Sequence, residues 1–290
     1  MNEVLRSIVS SGCITTEDGK TRTLYSAISG EEGNFLQEMI RSARPQVSVE
    51  VGCAYGISSL YICEALREVN AAKHIIMDPY QHTEWEGIGL ANLRRAGYLD
   101  IVDFHEVASH QCLSRLIEER VTVDFAFIDG NHVFEYVLVD FFLIDKLLRP
   151  GGIVVLDDLS LPSVRSVCRY VLSSLRYQCI GPQSRELPER TASRNLLSRA
   201  RQHGIGALMK APRSRILAPA WRILLRRVNK LVPLHRVFTS KVSSDSQLNI
   251  PDHSNHIALQ KLADGHWAHN ERPLSSSVIL VDFSWDHCQT

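Results

Sequence analysis

The chain has 290 residues, 44% hydrophobic and 22% charged, which is the composition of an ordinary globular protein. Lys plus Arg and Asp plus Glu both number 32, so a net charge that would draw the whole protein to polyanions is excluded. No run of about eighteen apolar residues occurs, and the first residues lack the pattern of a secretory signal, so neither a membrane span nor secretion is expected. The seven cysteines form no CxxC pair, which favours reduced thiols in a cytoplasmic protein over disulfides or a zinc site.

The first predicted elements lead into a glycine turn. Residues 1–30 are mixed and polar and are predicted to form a loose N-terminal segment. An amphipathic helix follows, with Ser29 as its cap and Glu32 three residues later, and it ends at Pro45. The stretch 47–56 (VSVEVGCAYG) then predicts a buried strand and a tight turn that opens into a helix at 57–69. Glycines at both ends of the turn let backbone approach a ligand closely.

Strands and helices alternate through the next hundred residues. Strands are predicted at 74–78, 100–107, 123–129 and 153–156, and helices at 84–97, 112–120 and 134–148. This alternation predicts a parallel sheet with helices on both faces. Acidic residues follow three of the strands, namely Asp78, Asp129 and the pair Asp157 and Asp158. Because parallel strands end at the same edge, these carboxylates are expected to lie along one rim of the sheet.

A basic insertion interrupts the pattern after a helix at 162–175 and a strand at 176–180. Between 185 and 241 there are fourteen Lys and Arg against two Glu. Within it, 217–232 has the composition of an amphipathic helix, either an interfacial helix at an anionic membrane or a lid packed on the domain. A last strand is expected at 256–261, and a β-like run at 277–283 has no assigned place. The predicted divisions are 1–30, 31–182, 183–250 and 251–290.

The order of these motifs resembles that of the class I S-adenosylmethionine-dependent methyltransferases. Within that class it is similar to the metal-dependent O-methyltransferases, which include the catechol, caffeoyl-CoA and bacterial sugar enzymes. The motifs are VEVGCAYGISSLYICEAL, MDPY, NLRRAGYLD, FAFIDGNH and LLRPGGIVVLDD, and the resemblance covers about 28–182 together with HIALQK near the end. It implies a doubly wound, Rossmann-like, seven-stranded and mostly parallel α/β sheet with helices on both faces. The basic, partly helical insertion before the last strand has no counterpart in this resemblance.

The resemblance also implies a binding site for S-adenosyl-L-methionine. Glu50 and Gly52 correspond to the methionine end of the cofactor, and Asp78 to the acid that holds the ribose. The three residues at 108–110 fall where the family contacts adenine. The full set of implied cofactor-binding residues is Glu50, Gly52, Tyr55, Gly56, Asp78, Ala108, Ser109, His110 and Asp129. Three of them have a simpler interpretation, Glu50 and Asp78 as ordinary strand-end acids and His110 as an exposed polar residue.

A metal and a catalytic histidine are implied at the same rim. Asp129, Asp157 and Asp158 match the family's ligands for Mg²⁺ or another divalent cation, and three converging carboxylates repel one another unless a cation lies between them. His132 matches a catalytic histidine proposed for some sugar O-methyltransferases, and Asp129 is assigned beside it as catalytic. The alternatives are that Asp157 and Asp158 cap the helix after them, and that His132 caps the helix at 134.

The predicted function is O-methylation of a hydroxyl on a sugar, glycan or small natural product. One alternative is an NAD(P)-dependent oxidoreductase, which the missing GxGxxG pattern disfavours. The other is a non-catalytic protein whose basic insertion binds a membrane or another anionic partner. The expected partners are a small-molecule or glycan acceptor and no sequence-specific nucleic acid. Peripheral contact with an anionic membrane through 185–241 and a homo-oligomeric state stay open, in a chain expected to be cytoplasmic.

Overall fold

A computed structural model of the protein describes residues 1–70, 73–174, 176–182, 245, 248–251 and 254–262. The predicted helix at 217–232, the whole segment 185–241 and the β-like run at 277–283 lie outside these ranges. Within these ranges the chain forms seven helices and nine strands. None of the described helices combines the length and the apolar character needed to cross a membrane.

The described helices and strands follow the predicted alternation from α2 onward. The helices are α1 (Glu3–Ser11), α2 (Gly30–Ala43), α3 (Ile57–Glu68), α4 (Ile88–Arg95), α5 (Ser109–Glu118), α6 (Phe134–Leu147) and α7 (Pro162–Ser173). The strands are β1 (Cys13–Thr15), β2 (Thr21–Thr23), β3 (Val47–Val51), β4 (Lys73–Met77), β5 (Val102–His105), β6 (Val123–Ile128), β7 (Leu148–Leu156), β8 (Tyr177–Gly181) and β9 (Ile257–Lys261).

Seven of these strands form one sheet in the order β5-β4-β3-β6-β7-β9-β8. Each neighbouring pair from β5 to β7 is parallel, whereas β9 runs antiparallel to both β7 and β8. The predicted seven-stranded, mostly parallel sheet is therefore confirmed. The order reverses at β3, where the connection to β4 leads one way and β6 lies on the other side, and ligands bind at such a switch point in open α/β sheets.

The register brings the strand ends together. Val51 pairs with Met77 and with Ile128, and Ile128 pairs with Leu156. One residue beyond these partners, the four strands reach Gly52, Asp78, Asp129 and Asp157. The predicted rim of acidic residues at the carboxyl edge of the sheet is therefore present in the fold.

Helices cover both faces of the sheet, as predicted. On one face α5, α6 and α7 pack against β3, β6 and β7 through buried residues such as Leu113, Phe141 and Val167. On the other face α1, α2, α3 and α4 bury a second set of apolar side chains, Leu60 among them, in two neighbouring clusters. Burial of apolar surface on both faces explains why the strands are continuous hydrophobic runs rather than alternating ones.

The prediction of a loose N-terminal segment is wrong. Residues 1–30 contain α1 and the β1-β2 hairpin, and Leu5, Ile8 and Ile14 are buried in the cluster that includes α3 and α4. The side chain of Asn2 accepts a hydrogen bond from the Val4 N–H at the start of α1, and Gly12 ends the helix in the left-handed conformation. Val4, Leu5, Ile8 and Val9 do recur at helical spacing, so the sequence contained a signal for α1 that the prediction did not use.

Element boundaries differ from the predicted ones chiefly around β7. The strand begins at Leu148, because Val123 of β6 pairs with Leu148 before a register shift brings Phe125 opposite Ile153. The Arg149-Pro150-Gly151-Gly152 stretch, predicted to lie between elements, therefore belongs to the strand. All the cysteines within the described residues are free thiols.

Candidate active site

The turn after β3 has a backbone that only glycine can adopt at its first position. Gly52 has a φ of +90°, and a Cβ at that position would lie 2.1 Å from the carbonyl oxygen of Asp129. Gly56 has a φ of +74° and lies against α4, where a Cβ would come within 3.1 Å of the Gly89 oxygen. Gly52 and Gly56 therefore hold the turn close to β6 in the sheet and to α4 in the helix layer.

Asp78 fixes this turn from the neighbouring strand. Its Oδ2 accepts hydrogen bonds from the backbone N–H groups of Cys53 at 3.0 Å and Ala54 at 2.8 Å. Its Oδ1 accepts one from the Tyr80 N–H at 2.9 Å. A carboxylate offers about four lone-pair positions, so one acceptor position is left for a ligand hydroxyl. Asp78 therefore stabilises the turn and also lines the cavity described below.

Glu50 lies beneath the turn, fully buried. Its Oε1 accepts a hydrogen bond from Ser58 Oγ at 2.5 Å, and its Oε2 accepts one from Ser59 Oγ at 2.7 Å. His74 Nε2 lies 2.9 Å from the same Oε2. Glu50 therefore anchors the first turn of α3 to β3 and β4 and positions the glycine turn from below.

A cavity of about 440 Å³ opens beside the turn. The predicted residues in its walls are Gly52, Asp78, Ala108, Ser109, His110, Asp129 and His132. The walls do not include Glu50, Tyr55, Gly56, Asp157 or Asp158. The ring of Tyr55 instead packs edge-on against Trp85, with the ring centroids 5.0 Å apart. The structure thus brings seven of the twelve predicted residues to one cavity, and the other five do not line it.

Sequence reasoning missed Asp140 and the aromatic residues of the cavity, Tyr80, Trp85 and Tyr136. Ser109 Oγ donates a hydrogen bond to Asp140 Oδ1 at 2.5 Å. Burial raises the pKa of Asp140 to about 6, against the lowering effect of the Ser109 hydrogen bond. The available signal was an acid in the middle of the apolar run YVLVDFFLI, which is unusual on the buried side of a helix.

Asp129, Asp158 and His132 form a group at the edge of the cavity. One ligand atom from each lies within 4.8 Å of the other two, which is close enough for a single metal ion. His132 Nε2 lies 3.0 Å from Asp158 Oδ2. Burial, followed by the charges of Asp157 and Asp158, raises the pKa of Asp129 well above its usual range. This is the electrostatic conflict that a cation between carboxylates relieves.

Asp157 joins a different group, so the predicted ligand set is divided. Its carboxylate lies within 4.8 Å of ligand atoms of Glu32 and His256. Burial, and next the charge of Glu32, raise the pKa of Asp157 to about 7. Asn255 lies between the two groups, with its Nδ2 3.4 Å from Asp157 Oδ1 and 3.3 Å from Asp158 Oδ1.

Both helix-capping alternatives disagree with the structure. The residue at the N-cap of α7 is Leu161 and that of α6 is Val133, and neither helix start has a side-chain cap. Asp157, Asp158 and His132 therefore do not cap these helices and are available for chemistry.

A family model described as a methyltransferase domain matches residues 49–159. Residues 49–159 are therefore similar to a methyltransferase domain. The match begins in β3 and ends just after Asp158, so it contains the glycine turn and every strand end of the rim. Its resemblance is to the catechol and caffeoyl-CoA group of O-methyltransferases, as the sequence motifs predicted.

Curated relatives and solved structures agree with this assignment. A caffeoyl-CoA O-methyltransferase from Populus kitakamiensis is 27% identical over 150 residues, covering 48% of this chain and 59% of the relative. Caffeoyl-CoA O-methyltransferase 2 from Zea mays is 30% identical over 135 residues, covering 45% of this chain and 48% of the relative. The chain thus spans about half the length of the curated relatives it matches.

The fold also matches a solved structure, that of the O-methyltransferase TomG from Streptomyces achromogenes. The two chains are 20% identical, with a TM-score of 0.50, and the match covers 63% of this chain and 84% of that one. At this identity the likeness concerns the fold of the methyltransferase domain.

Proposed function

We propose that the chain is an S-adenosylmethionine-dependent O-methyltransferase that methylates a hydroxyl of a sugar, a glycan or a small natural product. The observation that carries the proposal is one cavity that joins the glycine turn and Asp78 to Asp129 and His132. A donor held at the turn and an acceptor held at the acidic group would meet within that cavity. Such positioning accounts for much of the rate enhancement in a two-substrate reaction.

The cofactor site is supported by the turn and the two strands beside it. Gly52 exposes backbone to the cavity, and Asp78 has an acceptor position left for a ribose hydroxyl. Ser109 and its partner Asp140 form a polar wall that can face an adenine ring. The bound cofactor supplies a methyl group on a positively charged sulfur. The TomG structure is a complex with S-adenosylmethionine, which supports this choice of ligand.

A divalent cation fits the group of Asp129 and Asp158. Their oxygens, with a nitrogen of His132, lie within the distance that one ion spans. Mg²⁺ prefers such oxygen ligands and retains positions for other oxygens. When bound, the ion would lower the pKa of an acceptor hydroxyl. The two carboxylates would hold it, and its charge would offset their mutual repulsion.

His132 is placed to take the acceptor proton. In the tautomer that carries its proton on Nε2, that atom donates to Asp158 Oδ2, and Nδ1 is left as the proton acceptor. The carboxylate of Asp158 then orients the ring and stabilises it once protonated. The acceptor oxygen forms a bond to the methyl carbon while the bond from carbon to sulfur breaks. The products are a methyl ether, S-adenosylhomocysteine and a proton on His132.

Calorimetry and a product assay test the proposal. S-adenosylhomocysteine is expected to bind the purified chain and NAD is not. With methyl-labelled cofactor, label should reach a vicinal-diol sugar or a catechol in the presence of Mg²⁺. Asp129→Asn should lose this transfer, whereas Asp100→Asn, an exposed aspartate paired with Arg67, should keep it. Binding of NAD without binding of S-adenosylhomocysteine would contradict the proposal.

A further inference from the structure

A second group of potential metal ligands lies behind the cavity. Glu32 comes from the first turn of α2, Asp157 follows β7, and His256 precedes β9. One ligand atom from each lies within 4.8 Å of the other two. Asp157 and His256 are each only 7% exposed, so the group is almost closed to solvent. None of these three residues belongs to the walls of the cavity described above.

The imidazole of His256 provides an independent sign of a ligand. Its Nδ1 is buried and has no hydrogen-bond partner among the described residues. Glu32 Oε1 lies 3.9 Å away, which is within ion-pair distance of a protonated ring but beyond hydrogen-bond distance. Phe35 holds the ring, with the centroids 4.3 Å apart. A buried polar atom left without a partner is destabilising, so this nitrogen points toward a ligand that pairs with it.

The other contacts of Glu32 leave one of its oxygens for the same centre. Oε2 accepts the Ser29 N–H at 2.6 Å in the capping box of α2. Oε1 faces His256 and Asn255, and the Asn255 Nδ2 is 3.1 Å away. Ser160 Oγ lies 3.0 Å from Asn255 Oδ1. If the amide is rotated, the Ser160 hydroxyl accepts instead of donating, and Asn255 presents an oxygen to the centre.

We propose that Glu32, Asp157 and His256 form a second divalent-cation site, separate from the Asp129, Asp158 and His132 group. Two carboxylates and one imidazole suit Mn²⁺, Co²⁺ or Zn²⁺ better than Mg²⁺, because Mg²⁺ is seldom bound by nitrogen. The site connects α2 with the end of β7 and the start of β9. An ion bound there would therefore link a helix on one face of the sheet to the acidic rim. Neighbouring residues of one strand end, Asp157 and Asp158, would serve different ions.

Manganese binding by the full-length chain tests the proposal. Metal is first removed with a chelator, and bound Mn²⁺ is then counted by electron paramagnetic resonance. The wild type should bind two ions per chain, and Glu32→Gln and His256→Gln should each bind one. Glu32→Gln retains an acceptor for the capping box, so it tests the site even if His256→Gln fails to fold. His82→Gln, an exposed histidine paired with Glu106, is the matched control and should bind two.

A spectroscopic measurement separates this site from the catalytic one. In Asp158→Asn, which weakens the first group, the remaining Mn²⁺ should show coupling to an imidazole nitrogen. That coupling should disappear in Asp158→Asn with His256→Gln, and should persist in Asp158→Asn with His132→Gln. The proposal is overturned if Glu32→Gln binds as many ions as the wild type, or if the coupling follows His132. If the wild type bound both ions but transferred no methyl group, that result would contradict the proposed function and leave the second cation site supported.

Discussion

At the scale of single residues, Gly52 is the position that we expect to tolerate substitution least. It combines a positive φ with a Cβ position 2.1 Å from the Asp129 oxygen, so any side chain must push β3 and β6 apart. We expect Gly52→Ala to lower the free energy of unfolding by about 3 kcal/mol or more and to abolish binding of S-adenosylhomocysteine. Denaturant unfolding and calorimetry measure both effects.

The matched control is Gly97→Ala. Gly97 also has a positive φ, +76°, but a Cβ there would meet no atom within 4 Å. Gly97→Ala should therefore lower the free energy of unfolding only by the backbone strain, about 1–2 kcal/mol, and should leave ligand binding intact. Equal losses in the two variants would show that close approach to Asp129 is unimportant.

His132 is expected to act in the chemical step rather than in cofactor binding. His132→Gln removes the proton acceptor but keeps a polar side chain, so kcat should fall by about 10² to 10⁴ while the affinity for S-adenosylhomocysteine stays the same. Steady-state kinetics and calorimetry give the two quantities. His82→Gln should leave both unchanged, because that histidine lies at an exposed ion pair with Glu106. A loss of less than twofold in His132→Gln would remove it from the mechanism.

At the scale of elements, the contact between α2 and α3 depends on a small residue. A Cβ at Gly33 would lie 2.5 Å from the ring of Tyr61, whereas one at Gly30 would lie 3.7 Å from its hydroxyl oxygen. Alanine favours a helix over glycine by about 1 kcal/mol, but overpacking costs about 1–3 kcal/mol. Gly33→Ala should therefore reduce the thermal stability and Gly30→Ala should not. A more stable Gly33→Ala would indicate that Tyr61 moves aside freely.

Sequence patterns predicted the elements well where buried apolar residues follow one another or recur regularly along the chain. The strands at Val47–Val51 and Val123–Ile128 are apolar runs followed by glycine or acid, and both lie in the centre of the sheet. Parallel pairing then determines that their ends meet, so Asp78 and Asp129 were assigned to one rim correctly. The helix α1 was missed although its apolar residues recur at helical spacing, whereas its burial against α3 and α4 could not be predicted because those helices are distant in sequence.

The division of Asp157 from Asp158 was beyond a sequence argument. Successive residues after a strand point in different directions, and the choice depends on backbone conformation. Asp158 has a φ of +54°, which an aspartate adopts only occasionally. The partners of Asp157 come from α2 and from just before β9, and no local pattern connects them. Glu32 was predicted as part of a capping box, a role that it retains beside the proposed one.

At the scale of the whole molecule, two buried carboxyl groups contribute stability that decreases as the pH rises from acid toward neutral. Burial raises the pKa of Asp140 to about 6 and that of Asp157 to about 7. A raised pKa means that the folded chain binds the proton more tightly than the unfolded chain. The stabilisation from Asp140 is therefore fully present below its unfolded pKa near 3.8 and is lost as the pH rises through about 6.

Asp140→Asn isolates this effect, because the amide stays neutral and can still accept the Ser109 hydrogen bond. Relative to the wild type, the variant should gain about 2–3 kcal/mol between pH 4 and pH 7. Denaturant unfolding across that range measures the gain. Glu118→Gln, which removes a carboxyl from the exposed side of α5, should give a curve parallel to that of the wild type. Parallel curves for Asp140→Asn as well would contradict the prediction.

The antiparallel strand β9 lies between β7 and β8, and Gly181 at the end of β8 is the partner of Ala258 near the start of β9. The long connection between them therefore leaves and rejoins the sheet at adjacent points, on the same edge as the acidic rim. Lengthening such a connection adds little to the entropy of closing it. A longer or shorter connection would therefore leave every strand of the sheet with the same neighbours.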